Sequence, residues 1–320
     1  MIKILKSNKL ISLLLVIMCI FFIIKPSLCS TSCLNAISVW AFKVLPMLLP
    51  FFILTRLLVN LSSIKPNIMD KFFNFSYKAP NGSFLVFFLS VLAGYPMGAK
   101  LISSMHESNL INTKQAETML SFCSVSGPMF IIGTVGVSIF DNYKVGVIML
   151  ISNILACLIN GFIYRNKTTL NTTKNVYTAK NKLTLADVVY DSLISILMVG
   201  AYVVLSFIII DVLKNLCIIS AVSSFIEKIV NVDGSIISAV LMGVIEITRG
   251  CLAISETSAS LCLQTILCST VIAFGGISVF MQSLGFLKNI DINKKLILTQ
   301  KITQCLICCV VSTIICLLFF

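Results

Sequence analysis

Charged residues are scarce in this sequence. Asp, Glu, Lys and Arg make up 11% of the 320 residues, whereas about 25% is usual for a soluble domain. Hydrophobic residues make up 58% of the chain, and the mean hydropathy is +1.04. A soluble fold of this size cannot bury that much apolar surface, because a large share of any folded chain stays at the solvent interface. The composition therefore predicts a protein whose solvent is lipid and excludes most soluble enzyme classes.

Residues for acid–base and metal chemistry are also few. The chain has one histidine, His106, and it lacks a glycine-flanked nucleophilic serine, a phosphate-binding loop and a carboxylate-rich metal motif. Many of its 13 cysteines lie within apolar runs, without the loop spacing of a disulfide framework. Cys305, Cys308 and Cys309 are close in sequence, but no histidine or carboxylate lies nearby to complete a zinc site. We therefore expect no enzyme activity, no metal and no cofactor.

The net charge of +12 comes from 24 basic and 12 acidic residues. In a soluble protein this excess would indicate nucleic-acid binding. Here the basic residues lie mostly in short loops between apolar segments, which is typical of the cytoplasmic loops of membrane proteins. We therefore expect contact with membrane lipid and not with nucleic acid.

Nine apolar segments divide the chain. The first, residues 10–24, has lysines on both sides and no clear cleavage site after it, so we expect an N-terminal signal-anchor helix over residues 1–30. The basic loop over residues 165–182 predicts a cytoplasmic linker between two repeats, residues 31–164 and 183–320. The other eight segments cover residues 34–60, 84–105, 118–140, 145–164, 188–214, 235–256, 262–287 and 302–320.

Short sequence matches recur in the same order in the two halves. Lys100 follows an interruption in the first half, as Arg249 does in the second. These matches indicate an internal duplication, which is common in transporters; chance similarity between apolar segments is the alternative. The matching stretches are residues 35–61 with 191–216, residues 91–94 with 240–243, and residues 121–126 with 273–278.

The basic loops predict how the segments cross the membrane. With a cytoplasmic N-terminus, residues 165–182 and 287–301 fall on the cytoplasmic side only if one segment in each half enters and leaves on the same side. Residues 84–105 are the best candidate in the first half, because Gly94-Tyr95-Pro96-Met97-Gly98 interrupts a helix. We therefore predict an all-α polytopic membrane protein with two inverted repeats, re-entrant hairpins and broken helices.

Glycine, proline and serine interrupt four of the segments at corresponding places. Irregular backbone at membrane depth is tolerated only where protein buries it or water reaches it, and in transporters it builds the binding site. The alternative is that glycine and proline are simply frequent in membrane helices. The predicted structural breaks are Gly94, Pro96, Gly98, Gly127 and Pro128. The predicted substrate-binding residues are Lys100, Ser124, Ser126, Glu246, Thr248, Arg249, Gly275, Gly276, Ser278 and Gln282.

Two charges lie inside an apolar segment, where an unpaired charge costs about 2.5–3.5 kcal/mol. Glu246 and Arg249 are three residues apart, so we expect them to pair on one helix face, as a packing contact or as part of a substrate site. We expect Lys100 to face the same cavity as Arg249 and to bind an anion with it; otherwise Lys100 extends to the lipid headgroups. Charges near segment ends are expected at the membrane interface: Lys43, Arg56, Asp187, Asp191 and Asp211.

Several stretches resemble a known family. They are residues 45–52 (Leu-Pro-Met-Leu-Leu-Pro-Phe-Phe), 94–100 (Gly-Tyr-Pro-Met-Gly-Ala-Lys), 126–133 (Ser-Gly-Pro-Met-Phe-Ile-Ile-Gly), 246–250 and 275–279. On these motifs the chain resembles the sporulation integral membrane protein YlbJ family, which carries nucleoside-recognition Gate domains and is distantly similar to concentrative nucleoside transporters. The resemblance implies a protein of endospore formation, in the cell membrane or outer forespore membrane, that moves dipicolinic acid out of the mother cell.

The expected function is therefore transport of a small organic anion, with dipicolinate as the expected substrate. Its two carboxylates suit cationic side chains and helix N-termini. A nucleoside or nucleobase permease is the first alternative. The second alternative is a non-transporting scaffold with protein partners in the sporulation membrane.

Overall fold

The structure, a computed structural model, describes residues 12, 16, 18–61, 68–165 and 184–319. Regular secondary structure in these ranges is entirely helical, which confirms the predicted all-α class. The predicted anchor over residues 1–30 and the linker over 165–182 fall largely outside the described residues. Among the described residues, five helical segments are long and apolar enough to cross a membrane: Pro26–Leu58, Tyr143–Ile163, Leu185–Asn215, Leu261–Phe286 and Lys294–Phe319. The chain is an integral membrane protein.

The first half begins with one continuous helical segment that includes a π-helical turn. Shorter helices follow it, and a long helix closes the half. In chain order the elements are α1 (Pro26–Val39), the π-helical turn (Trp40–Val44), α2 (Leu45–Leu61), α3 (Ile68–Tyr77), α4 (Ser83–Ala93), α5 (Met97–Glu107), α6 (Thr113–Cys123), a π-helical segment (Met129–Ile139) and α7 (Tyr143–Ile163).

The second half has the same order of elements. They are α8 (Leu185–Asn215), α9 (Ile218–Val230), α10 (Gly234–Ile245), α11 (Ile247–Ser255), α12 (Leu261–Phe274), α13 (Gly276–Phe286) and α14 (Lys294–Phe319). Each half is thus a long helical segment, a short amphipathic helix, four half-length helices and a second long helix. The eight predicted segments that follow residue 33 have helical counterparts among the described residues, and four of them are broken at the predicted interruptions.

Polar caps explain where several helices begin. Asn112 accepts the backbone N–H of Gln115 at 2.9 Å, and the Gln115 side chain accepts the backbone N–H of Asn112 at 2.9 Å. Asp233 accepts the backbone N–H of Ser235 at 2.8 Å before α10, and this hydrogen bonding lowers the pKa of Asp233. Such caps satisfy N–H groups that have no partner within the helix.

Two pairs of half-length helices fold back as hairpins. In α10–α11, a Cβ atom on Gly250 would lie 2.1 Å from the Cα of Gly243, so only glycine lets the two backbones pack this closely. α4 and α5 also pack against each other and form the equivalent hairpin. None of these four helices exceeds 12 residues, which is about 18 Å at 1.5 Å per residue and too short for a hydrocarbon core of about 30 Å. By contrast, α12 and α13 continue as one broken span.

Polar contacts between helix ends place the two hairpins on opposite faces of the bundle. Glu107, at the end of α5, accepts a hydrogen bond at 3.1 Å from Asn289, which follows α13. Because α12–α13 is a single span, its start and the hairpin α10–α11 before it lie at the opposite face. Lys25 and Asn215, at the start of α1 and the end of α8, are joined there at 2.7 Å. The hairpins thus enter from opposite faces, which is the predicted inverted arrangement.

Some boundaries differ from those expected. The last span begins at Lys294 instead of residue 302, so the predicted loop over residues 287–301 is wrong in its second half and Lys301 lies inside α14. The segment expected from residue 34 begins at Pro26, within the range assigned to the anchor. The amphipathic helices α3 and α9 lie where loops were expected, because apolar residues on one helix face raise segment hydropathy little.

Candidate functional site

Residues from all four interrupted helix pairs line one cavity between the two halves. Its apolar wall comes mainly from α2, α8 and the π-helical segment that follows Pro128. Its volume is about 50 Å³, which holds a few water molecules. The polar groups on its wall are Tyr95, Ser126, Glu246, Thr248, Ser278 and Gln282.

The tip of the first hairpin rests on the interruption between α6 and the π-helical segment. Gly94 has φ +70°, a conformation that L side chains rarely adopt. A Cβ atom on Gly94 would lie 2.3 Å from the backbone nitrogen of Gly127. The contact therefore requires glycine at the hairpin tip, and it brings two predicted breaks together.

The second half repeats this contact. Gly276 has φ +68°, and a Cβ atom there would lie 3.2 Å from the carbonyl oxygen of Ile245, at the tip of the second hairpin. In each half, the hairpin tip thus packs against the interruption of the broken span that follows it.

Tyr95 joins the first hairpin to both broken spans. Its hydroxyl donates to the carbonyl of Ser124 at 3.0 Å and lies 3.4 Å from the carbonyl of Ala273. Because α6 and α12 end at these interruptions, their last carbonyl groups have no hydrogen-bond partner within the helix. The tyrosine therefore lies against helix ends from both halves.

Half of the predicted binding residues line this cavity: Ser126, Glu246, Thr248, Ser278 and Gln282. The predicted breaks Gly94 and Gly127 also line it. Lys100 and Pro96 line a smaller cavity beside it, and Arg249 lines a third. The remaining predicted residues, Ser124, Gly275, Gly276, Gly98 and Pro128, belong to the interruptions or their packing and lie outside the cavity wall.

Glu246 uses its carboxylate as a helix cap. The side chain is 2% exposed and accepts the backbone N–H of Arg249 at 2.7 Å. The predicted side-chain ion pair between these two residues is wrong, because the Arg249 guanidinium binds a different carboxylate. Glu246 therefore stands at the first turn of α11, where the helix dipole favours negative charge.

The carboxylate that binds Arg249 belongs to Asp211 of α8. The guanidinium lies 3.1 Å from Asp211 Oδ1 and 4.9 Å from the centroid of the Phe207 ring. Ser32 of α1 donates to Asp211 Oδ2 at 2.6 Å. The side chains of Arg249 and Asp211 are 24% and 15% exposed. Asp211 is thus a partly buried ion-pair partner that ties α11 to α1 and α8, and the expectation of an interface position is incomplete.

Lys100 lies on the other side of the central cavity. It shares a space of about 20 Å³ with Arg56, Tyr95 and Ser195. The expectation that Lys100 and Arg249 face one cavity is wrong, because the two residues lie on hairpins that enter from opposite faces. Arg56 was expected at the interface, yet its side chain is only 10% exposed and pairs with Asp191 at 2.6 Å.

Lys301 is a central residue that the sequence analysis placed in a loop. It is 5% exposed, and its ammonium donates to Tyr95 Oη, to the carbonyl of Ser124 at 2.7 Å and to Gln304 Oε1 at 3.2 Å. Gln304 also donates to the Ser124 carbonyl at 3.2 Å. The cation therefore contacts the end of α6 directly behind the cavity wall.

The sequence contains a signal for this cluster. The buried side chains of α14 include residues three or four positions apart, and this spacing places them on one helix face. A polar stripe of this kind in an apolar helix indicates a face that packs against protein and not against lipid. Its members are Gln300, Lys301, Gln304, Cys308 and Ser312.

Comparison with known proteins finds a similar integral membrane protein of sporulation. The chain is 27% identical to the sporulation integral membrane protein YlbJ of Bacillus subtilis (strain 168), over an alignment of 298 residues that covers 84% of this chain and 73% of that protein. No protein-family model and no solved structure matches the chain. The alignment extends over both halves and so does not rest on one motif. This similarity supports the assignment of the chain to the YlbJ family of sporulation integral membrane proteins, which the sequence motifs indicated.

Proposed function

We propose that the chain is a transporter, not an enzyme, and that it carries a small organic anion across a membrane during sporulation. The observation that carries the proposal is the convergence of four helix interruptions on one cavity with a polar lining. Two hairpins reach this cavity from opposite faces, as a site that opens alternately to each side requires. Interrupted helices at membrane depth expose amide and carbonyl groups that bind substrates in transporters.

The charges around the first hairpin support an anionic substrate. Arg56 and Lys100 share a cavity with Tyr95, and the Lys301 ammonium bonds the Tyr95 hydroxyl from behind. Asp191 neutralises one of these three cations. Excess positive charge in an apolar environment raises the local concentration of anions.

Dipicolinate is the substrate that we propose, as the family resemblance implies. It is a flat aromatic ring with two carboxylates. The cavity offers aromatic walls from Phe52, Tyr95 and Phe130 for such a ring. A volume of about 50 Å³ does not admit a pyridine ring, so we propose that the first hairpin separates from Gly127 when substrate enters.

A nucleoside is the second candidate substrate, because the polar groups that line the central cavity suit a neutral ligand. Glu246, Thr248, Ser278 and Gln282 can bond the hydroxyl and amide groups of a neutral ligand. Uptake of labelled uridine by cells that produce the chain separates the two candidates. Uridine uptake that dipicolinate fails to inhibit would favour the nucleoside.

Dipicolinate distribution in sporulating cells tests the proposal. A strain that lacks the chain receives the wild type, Ser278→Phe, which fills the cavity, or Gly285→Ala, where an added methyl group meets no atom within 4 Å. At equal protein levels, the wild type and Gly285→Ala should restore spore dipicolinate, whereas Ser278→Phe should leave it in the mother cell. Normal spore dipicolinate without the chain would overturn the proposal.

A further inference from the structure

The two halves carry different charges at equivalent positions. In the matched stretches, Arg56 corresponds to Asp211 and Lys100 corresponds to Arg249. In the second half these positions hold opposite charges, which form an ion pair at 3.1 Å. In the first half both positions hold cations, and both side chains line the same small cavity.

The first-half cations keep donors that the protein does not use. The Arg56 side chain is 90% buried, since only 10% of it is exposed. Its guanidinium bonds Asp191 and Ser195, but its Nε is buried without a hydrogen-bond partner. Among the described residues, the Lys100 ammonium forms no hydrogen bond or ion pair. A buried donor without a partner is costly, so the Arg56 Nε points to a ligand that satisfies it. Lys100 is only partly buried, and its ammonium can bind the same ligand.

The charge around this small cavity does not balance. Arg56 and Lys100 face a single carboxylate, that of Asp191, which is 46% exposed and therefore well solvated. The corresponding region of the second half is neutral. There Arg249 and Lys214 are matched by Asp211 and Glu256.

The small cavity adjoins the central one. Phe52, Ala93 and Tyr95 line both spaces, so the two spaces meet at these three residues. The volume of about 20 Å³ suits one water-sized group. A carboxylate oxygen can therefore take this position while the rest of the ligand lies in the central cavity.

We propose that Arg56 and Lys100 form a carboxylate subsite that holds one end of an aromatic dicarboxylate whose ring lies in the central cavity. The inference rests on the proposed transport function and deepens it by naming the subsite. Arg56 supplies N–H donors at a fixed angle and Lys100 supplies a mobile ammonium. The equivalent pair in the second half, Arg249 and Asp211, has a structural role.

Thermal unfolding of the purified full-length protein in detergent tests the subsite. The probes are pyridine-2,6-dicarboxylate and its neutral analogue pyridine-2,6-dicarboxamide. The dicarboxylate should raise the Tm of the wild type in a concentration-dependent manner, because a ligand that binds only the folded state stabilises it. The diamide should not. Lys100→Met should keep the Tm of the unliganded protein and weaken dicarboxylate binding by about tenfold or more, which is the effect of a lost charge-assisted hydrogen bond.

Arg249→Gln is the matched control at the equivalent position of the other half. It should lower the Tm of the unliganded protein, since Asp211 loses its partner, and leave dicarboxylate affinity within about threefold of the wild type. Arg56→Lys, which keeps the charge but lacks the Nε donor, should weaken binding without abolishing it. Full wild-type affinity in Lys100→Met, equal binding of the diamide, or no response of the wild type would each overturn the subsite.

Binding and transport can fail separately. Dicarboxylate binding that depends on Lys100, without flux in vesicles, would refute the transport function and leave the subsite standing. Flux that Lys100→Met does not change would refute the subsite and leave transport standing.

Discussion

Lys301 is a buried cation whose partners are all neutral. Its ammonium bonds a hydroxyl, a backbone carbonyl and an amide oxygen, and it lies 4.4 Å from the centroid of the Tyr95 ring. In the described part of the chain it forms no ion pair with a carboxylate. A buried charge without a counter-charge lowers stability, and such residues in membrane proteins are retained for function. We therefore assign Lys301 a role in the electrostatics of the cavity.

Lys301→Met tests this role at the residue scale. The substitution keeps the length of the side chain and removes the charge, while the Ser124 carbonyl keeps its bonds from Tyr95 and Gln304. We expect a Tm equal to or higher than that of the wild type, together with at least a tenfold loss of dicarboxylate uptake. A purely structural lysine would give the opposite pattern, a lower Tm with uptake retained in the folded fraction.

At the scale of the elements, each hairpin tip packs closely against a helix interruption, and at Gly94 the contact leaves no space for a side chain. The contact of Gly94 with Gly127 and that of Gly276 with Ile245 are equivalent in the two halves. These contacts are the places where a hairpin must separate from a broken span if the cavity is to open. The same contacts should therefore affect both the stability of the closed state and the opening of the cavity.

Gly94→Ala should lower the free energy of unfolding by about 1–3 kcal/mol, the usual cost of forcing extra atoms into a packed site. The added Cβ would meet the Gly127 backbone, and the positive φ adds strain. Gly285→Ala is the control, because its Cβ would meet nothing within 4 Å. Detergent-based unfolding of both variants measures the difference; equal stability of the two would show that the tip contact is looser than described.

Hydropathy and helix-breaking residues predict most of these elements from the sequence. The features that they fail to predict have physical explanations. The interruptions at Gly94 and Gly275 are visible because glycine and proline act locally on the backbone. Lys301 was misplaced because a charge near the end of an apolar run resembles a loop residue until its partners are known. The partner of Arg249 lies 38 residues away in sequence, so local spacing favoured Glu246 instead.

At the scale of the whole molecule, the two halves share one order of helices and enter the membrane in opposite senses. The basic linker after Arg165 and the segment around Val232 should therefore lie on opposite sides of the membrane. We expect Arg165 on the cytoplasmic side, by the positive-inside rule, and Val232 on the external side.

Reporter fusions test this topology. Green fluorescent protein fused after Arg165 should fluoresce, and alkaline phosphatase fused after Val232 should be active. The reciprocal fusions should be silent. Activity of the same reporter at both positions would refute the inverted arrangement.

The most direct test of transport is flux of labelled dipicolinate into proteoliposomes that contain only the purified protein. We predict saturable uptake that exceeds that of empty liposomes, is inhibited by excess unlabelled dipicolinate and is abolished by Ser278→Phe. Uptake no faster than in empty liposomes, with folded protein in the membrane, would contradict transport and would favour a scaffold.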